Sequence, residues 1–323
     1  MACIGSRRAL LSGGAPPSLD LRFTAGGGLD PRITFTRAST ASYFDSTGTL
    51  QSAATNVPRF DFDPALLTSR GLLIEGARTN LLLNSATLST QSVTTTATPT
   101  TLSFYGTGTV TLSGTFAGSL VGAGAFPARS SITFTPTAGT LTCTVTGSVL
   151  NAQVEAGAFP TSYIPTTGTT ATRALDAATM PWVSVAPCSA VAEVMLLSGG
   201  IQNQGVLVLD DGTITNRIVL RAGSGNIVLA VTLPSGVSAQ PVNLVTARVP
   251  FKIGGFFTAN SGDGAVLNGG GVALGSGVFP SNLNTLRIGT TGVASGSEAY
   301  GYIRRLRYWP RAMGPAELAA NTR

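Results

Sequence analysis

From Asn84 to Ala174 the chain is written almost entirely in Thr, Ser, Gly and Val. Short alternating runs, as in TLSFYGTGTVTLSGTFAGSL and SSITFTPTAGTLTCTVTGSVL, recur about every ten residues between Gly or Pro. Thr and Val suit a pleated surface and glycine punctuates it, while no sustained helical periodicity occurs before the C-terminal end. The pattern predicts an all-β protein. After Ala177 the same grammar continues in longer runs: AVAEVMLL, GVLVLDDG, NRIVLRAG, NIVLAVTL, FKIGGFFTAN, AVLNGGGVAL, TLRIG and EAYGYIRRLRYWP, enough for a complete two-sheet sandwich. Only PAELAAN, after Gly314-Pro315, reads as a short helix.

At 323 residues the chain exceeds the roughly 250 to 300 residues at which one core stops growing, so two β-sandwich (jelly-roll) domains are expected behind an extended N-terminal anchoring segment. The expected divisions are a flexible arm over 1–18, the anchoring segment over 19–83, a jelly roll over 84–176 and a second sandwich over 177–323. Within the anchoring segment, ITFTRAS sets Ile33, Phe35 and Arg37 on one face of a strand. Asp45 to Gly48 reads as a hairpin tip, and VPRFDFDP alternates Phe60 and Phe62 with Asp61 and Asp63.

Composition excludes several function classes. The chain has no histidine, which removes the imidazole that Ser-His-Asp and Cys-His nucleophiles need, along with zinc sites built on His. Cys3, Cys143 and Cys188 are too scattered for a Cys-only metal cluster; buried free thiols are expected, with a Cys143 to Cys188 disulfide as the alternative. The net charge of +6 is almost wholly arginine, because Lys252 is the only lysine. That balance fits either composition bias or anionic partners such as acidic polysaccharide; without a basic helix or basic-aromatic interleaving, nucleic acid is not expected. The N-terminal stretch lacks the apolar run of a signal peptide and no run reaches the ~18 apolar residues of a membrane span, so neither export by a signal peptide nor a membrane partner is expected.

Three stretches resemble known modules. FTRASTASYFDSTGTL, NVPRFDFDP and RGLLIEGARTNLL together resemble a module of structural proteins in tailed bacteriophages and gene transfer agents. QVEAGAFPTSYIPTTGTTATRALD resembles the close of the carbohydrate-binding-module-like jelly roll that follows it, so the likeness spans residues 19–176. The C-terminal pattern of Leu286, Ile288, Gly289, Gly301, Ile303, Leu306, Tyr308, Trp309 and Glu317-Leu318 resembles the concanavalin A-like, laminin-G-like fold. Ile303 and Leu306 would face oppositely in a regular strand, and a bulge at Arg304-Arg305 would return both to the core. The resemblance implies a virion protein made in the host cytoplasm: a head spike or fibre, a decoration or a tail-fibre type. Its implied partners are a symmetric homo-oligomer of itself, capsid or other virion proteins through the N-terminal segment, and host surface polysaccharide.

Glu75 and Arg78 stand in an otherwise apolar run and are expected to form a structural ion pair at the joint between anchor and first sandwich. Tyr300, Tyr302 and Trp309 could stack on sugar rings, with Asn282, Asn284 and Glu298 as polar contacts; packing of Tyr308 and Trp309 in the core is the competing expectation. Arg304, Arg305, Arg307 and Arg311 form the densest basic group, either a solvated edge or a contact for an anionic partner. No cofactor and no catalytic residue are expected. Ca²⁺ is the alternative, at Asp61 and Asp63 or at Asp210 and Asp211, the latter equally an Asp-Gly turn. The expected function is therefore a non-enzymatic adhesin, with a purely structural connector or a carboxylate-based polysaccharide-degrading enzyme as alternatives.

Overall fold

The structure, a computed structural model, describes residues 15–26, 28–198, 204–223, 226–233, 236–242, 245–259, 262–291 and 297–323. Cys3 and most of the expected arm lie outside the described residues. The described chain is all-β except for the helix Pro315–Asn321, which begins on Pro315 as expected.

Two sheets form the larger sandwich. One runs Ala273–Gly275, Asp263–Leu267, Phe251–Phe257, Cys188–Leu196, Gly301–Trp309, Ser69–Ile74 and Phe60–Phe62, with Leu19–Arg22 also on Gly301–Trp309. The other runs Thr34–Thr36, Ala177–Ser184, Leu283–Ile288, Gln204–Asp210, Arg217–Gly223, Asn226–Leu233 and Gly236–Val242. Their facing side chains make one core from distant parts of the chain: Leu21, Phe35, Leu72 and Ile74 pack with Met180, Ala192, Leu209, Ile253, Leu286 and Ile303. A large aliphatic side chain buried this way contributes about 1.5 to 3 kcal/mol. The division at 19–83 is thus replaced by a shared fold, because hydrogen bonding in a sheet is non-local and a strand's own pattern does not name its neighbour.

The strand Gly301–Trp309 shows how the segments interlock. Its residues 301–303 pair with Ile74–Leu72, and its residues 305–308 pair with Arg22–Leu19. Arg304 falls between them, skipped in the pairing with Glu193 and Val194. This is the expected bulge, and it leaves Ile303 and Leu306 both at 1% exposure or less. The backbone oxygen of Arg304 instead accepts from the amide of Phe23 at 2.9 Å.

The smaller sandwich is inserted into the larger one. A two-stranded stem, Arg78–Asn80 against Ala171–Arg173, carries the chain out and back. Beyond it a four-stranded sheet (Gly118–Val121, Thr109–Gly114, Gly139–Thr146, Gln91–Thr95) faces a three-stranded sheet (Gly124–Phe134, Thr100–Gly106, Leu150–Ala156). Leu102, Phe104, Leu112, Leu141 and Val154 fill the space between them. Cys143 and Cys188 lie in different cores as free thiols, and burial pushes each up to about 11.

Candidate functional site

Five charged residues from four places in the chain meet where the two sandwiches join. Arg37, Arg59, Glu75, Arg173 and Asp176 are each at 1% exposure or less. Arg59 bridges the acids, with Nη1 to Glu75 at 2.8 Å and Nη2 to Asp176 at 2.5 Å. Arg173 adds a second cation to Glu75 at 3.1 Å, and Arg37 a second to Asp176 at 3.1 Å. The inserted sandwich completes the shell: Ser162 donates its amide and hydroxyl to Glu75 at 2.8 and 2.6 Å. Burial opposes ionisation of Glu75, yet the Arg173 and Arg59 guanidiniums and the Ser162 bonds prevail and hold its carboxyl at about 2.

The expected Glu75–Arg78 pair is corrected by this geometry. Arg78 lies on the stem and turns instead to Glu155 at 3.7 Å, to the Tyr300 hydroxyl at 3.0 Å and over the Tyr300 ring at 4.7 Å. Glu75 ends the apolar strand Ser69–Ile74 and faces into the joint, out of reach of its near neighbour in sequence.

Beside this network opens a cleft of about 650 Å³, within the range of small-ligand sites. Its floor is the outer face of the larger sandwich, where Tyr302, Leu73 and Met195 pack together. Tyr43 and Phe44 come from the Ala41–Phe44 and Leu50–Ala53 hairpin, whose tip is fixed by Asp45 and Gly48 as expected. Tyr105 and Arg129 come from the inserted sandwich, Arg70 and Arg304 from the larger sheet, and Arg248 from a turn before Phe251–Phe257. Arg70 pairs with Asp63 at 2.9 Å and lies over the Tyr302 ring; Arg304 pairs with Glu193 at 2.8 Å. Arg129 donates to the Thr161 carbonyl at 2.6 Å and the Ser103 hydroxyl at 2.7 Å and stacks on Tyr105. Neither Arg129 nor Arg248 has a carboxylate partner among the described residues. Burial, and then the Arg129 and Arg70 cations, hold Arg248 below the ordinary arginine value despite the opposing influence of Tyr302.

The aromatic residues named from sequence separate in space. Tyr302 reaches the cleft, but only as floor: it is 5% exposed and its hydroxyl donates to Asp61 at 2.8 Å. Tyr300 is buried in a left-handed conformation (φ 44°), edge-on to Phe159 of the inserted sandwich. Trp309 packs against Val191, Met313 and Leu318, and its indole donates to the Ala15 carbonyl. Tyr300 and Trp309 therefore expose no face for stacking, Tyr300 being covered by the insertion's Phe159 and Trp309 by Met313 and the C-terminal helix. Glu298 is buried, while Asn282 and Asn284 are exposed and do not line the cleft. Among the basic group, Arg305 is taken by Asp20, Arg311 by Glu317 and Arg307 by Asn321, leaving Arg304 as the member that lines the cleft.

The acids considered for Ca²⁺ or for glycosidase chemistry have local duties. Asp61 accepts from the Phe44 amide and Tyr302, and burial raises its carboxyl above the ordinary value. Asp63 accepts from the amides of Ala65 and Leu66 as well as from Arg70. Asp210 pairs with Arg287, and Asp211 organises an Asp-Gly turn with Thr213 and Asn216. Among the described residues no cluster of three or more acidic or cysteine side chains is placed to hold a metal ion.

No protein-family model matches the chain, and no curated protein does. Partial likenesses to solved structures exist. A sialidase carbohydrate-binding module from Ruminococcus gnavus is 17% identical over 43% of this chain and 84% of its own, with a TM-score of 0.37. Domain 4 of an extracellular arabinanase from Geobacillus stearothermophilus, solved with arabinotriose, is 14% identical over 46% of this chain and 73% of its own, with a TM-score of 0.40. A SAP-like pentraxin from Limulus polyphemus is 12% identical over 44% of this chain and 70% of its own, with a TM-score of 0.31.

Proposed function

We propose that this chain is a non-enzymatic, glycan-binding structural protein of a phage or gene-transfer-agent particle, of the head spike, head fibre or related adhesin type. The observation that carries the glycan reading is the cleft at the joint. The half-buried rings of Tyr43 and Phe44 and a set of guanidinium donors converge there on a space open to solvent, with Tyr105 buried behind them under Arg129. Rings offer large contact area to the apolar faces of sugars, and fixed donors read their hydroxyl and acidic groups. The particle assignment is supported by the ordered motifs of residues 19–176 and their resemblance to phage structural proteins. A symmetric homo-oligomer would present several such clefts at once, so that weak single-site binding adds up to firm attachment.

The test uses the full chain, because strands from 19–74 complete the larger sandwich. Fluorescent protein, clustered by an oligomerising tag, is added to bacterial cells with and without their surface polysaccharide. Polysaccharide-dependent binding is expected; equal binding to both kinds of cell, or to neither, overturns the reading. A connector without glycan binding is the second reading, favoured by the buried network that locks the sandwiches together. It predicts that Tyr43→Ala leaves both particle assembly and adsorption intact, whereas the adhesin reading predicts loss of adsorption alone.

A further inference from the structure

We infer that the cleft takes an anionic saccharide residue, its acidic group held between Arg129 and Arg248. This rests on the glycan reading and adds the chemical class of ligand. Four guanidiniums line the cleft, those of Arg70, Arg129, Arg248 and Arg304. Two are neutralised within the fold, Arg70 by Asp63 and, at 3.5 Å, by Asp61, which also lines the cleft and takes the Tyr302 hydroxyl, and Arg304 by Glu193. The charge of Glu75, which also reaches the cleft wall, is shared between Arg59 and Arg173. Arg129 and Arg248 are left as cations without an ion-pair partner among the described residues.

Arg129 is held by side-chain bonds, and Arg248 by its backbone, in ways that leave their charge uncompensated. Arg129 is fixed by the Thr161 carbonyl, the Ser103 hydroxyl and the Tyr105 ring, and its Nε is buried without an acceptor. Arg248 is anchored through its backbone, in a left-handed conformation (φ 61°) with its amide donating to the Leu196 carbonyl at 2.7 Å. Two like charges brought to one cleft favour an anion between them, and the planar guanidinium fork matches a carboxylate or an acid ester oxygen by oxygen. A neutral sugar would use the rings and leave both cations unanswered. The cleft volume fits a few sugar rings, and the rings beside the cations suit a saccharide better than an acidic peptide.

The experiment measures binding of the full chain to polygalacturonate, to its carboxyl-reduced product, to dextran sulfate and to dextran. Because the chain carries a net charge of +6, Arg32→Gln, at an exposed arginine outside the cleft, controls for general attraction. The expected result is binding to an acidic polymer that falls at least tenfold on carboxyl reduction and at least fivefold in Arg248→Gln, with Arg32→Gln near wild type. Arg248 has no side-chain hydrogen-bond or ion-pair partner among the described residues, so that variant should keep the wild-type unfolding temperature; Arg129→Gln provides the second arm. Dextran sulfate bound with the same dependence on Arg248 supports the inference with an acid ester as the source of charge. Equal binding of the carboxyl-reduced polymer, or equal losses in Arg32→Gln and Arg248→Gln, overturns it. Failure to bind any of the acidic polymers while cell binding stays polysaccharide-dependent also overturns it and leaves the glycan reading standing.

Discussion

Glu75 is the residue on which the joint turns, because it pairs with two buried arginines, accepting a hydrogen bond from Arg59, and accepts from both donors of Ser162. Glu75→Gln would keep the shape and leave Arg59 and Arg173 short of one negative charge, an uncompensated burial expected to cost about 3 to 5 kcal/mol. Urea unfolding at neutral pH measures it. The same residue sets an acid dependence. Its folded value of about 2 lies below the ordinary 4.5, so the unfolded chain binds more protons in that window. Its stabilisation is therefore present above pH 4.5 and lost as pH falls from 4.5 toward 2, and Glu75→Gln should flatten the stability profile there. Asp61 acts with the opposite sign: its raised value favours the folded state in acid and is lost as pH rises through it. Asp20, Asp30 and Asp45, each held at about 2, keep some acid slope in the variant. Part of this network was legible in sequence, since Arg37 shares the inward face of its strand with Ile33 and Phe35. Arg59 and Arg173 were not. Their partners lie far along the chain, Asp176 being 117 residues from Arg59, and sequence proximity pointed to Arg78.

At the scale of elements, the bulge at Arg304 was readable because two core residues, Ile303 and Leu306, stood at a spacing that a regular strand cannot bury. What divides the neighbouring strand into two partners was not readable, because Leu19–Arg22 and Ser69–Ile74 carry ordinary strand patterns that name no neighbour. Gly71 is the price of that crossing. It adopts φ +109°, and a Cβ there would lie 2.6 Å from the Ile303 carbonyl oxygen and 3.1 Å from the Arg304 Cα. Gly71→Ala must therefore push apart backbone next to the bulge, and a loss of at least about 2 kcal/mol is expected. Gly28 also has positive φ, at 78°, but meets nothing within 4 Å, so Gly28→Ala should cost only about 1 kcal/mol. Thermal melts of the pair separate the cost of the backbone angle from the cost of the collision. The cleft was hidden from sequence for a related reason: its wall residues come from the hairpin, the inserted sandwich and the turn at Arg248, which only the topology brings together.

For the whole molecule, the question is whether the two sandwiches unfold together. Each has a core of its own, which allows independent unfolding, and the covalent link is only the short stem of Arg78–Asn80 and Ala171–Arg173. What opposes independence is the buried joint: Arg59 of the larger sandwich bonds Ser162 of the insertion at 2.8 Å while holding Glu75 and Asp176, and Tyr300 meets Phe159 across the same boundary. Opening one sandwich would expose these charges to a half-dismantled, poorly hydrated surface, a penalty of several kcal/mol that the other sandwich shares. Calorimetry at neutral pH should therefore show one heat-absorption peak. Arg59→Met removes the cation common to both acids and keeps much of the side-chain volume, with Arg173 still on Glu75 and Arg37 still on Asp176. In that variant the peak should split in two, with the areas matching the two cores and limited proteolysis cutting first in the sandwich that melts first. A single peak in Arg59→Met, merely shifted down, would mean that the stem, the Ser162 bonds to Glu75 and Arg173 and the Tyr300 contact suffice to couple the halves, and Arg59 would then be a source of stability without being the source of cooperativity.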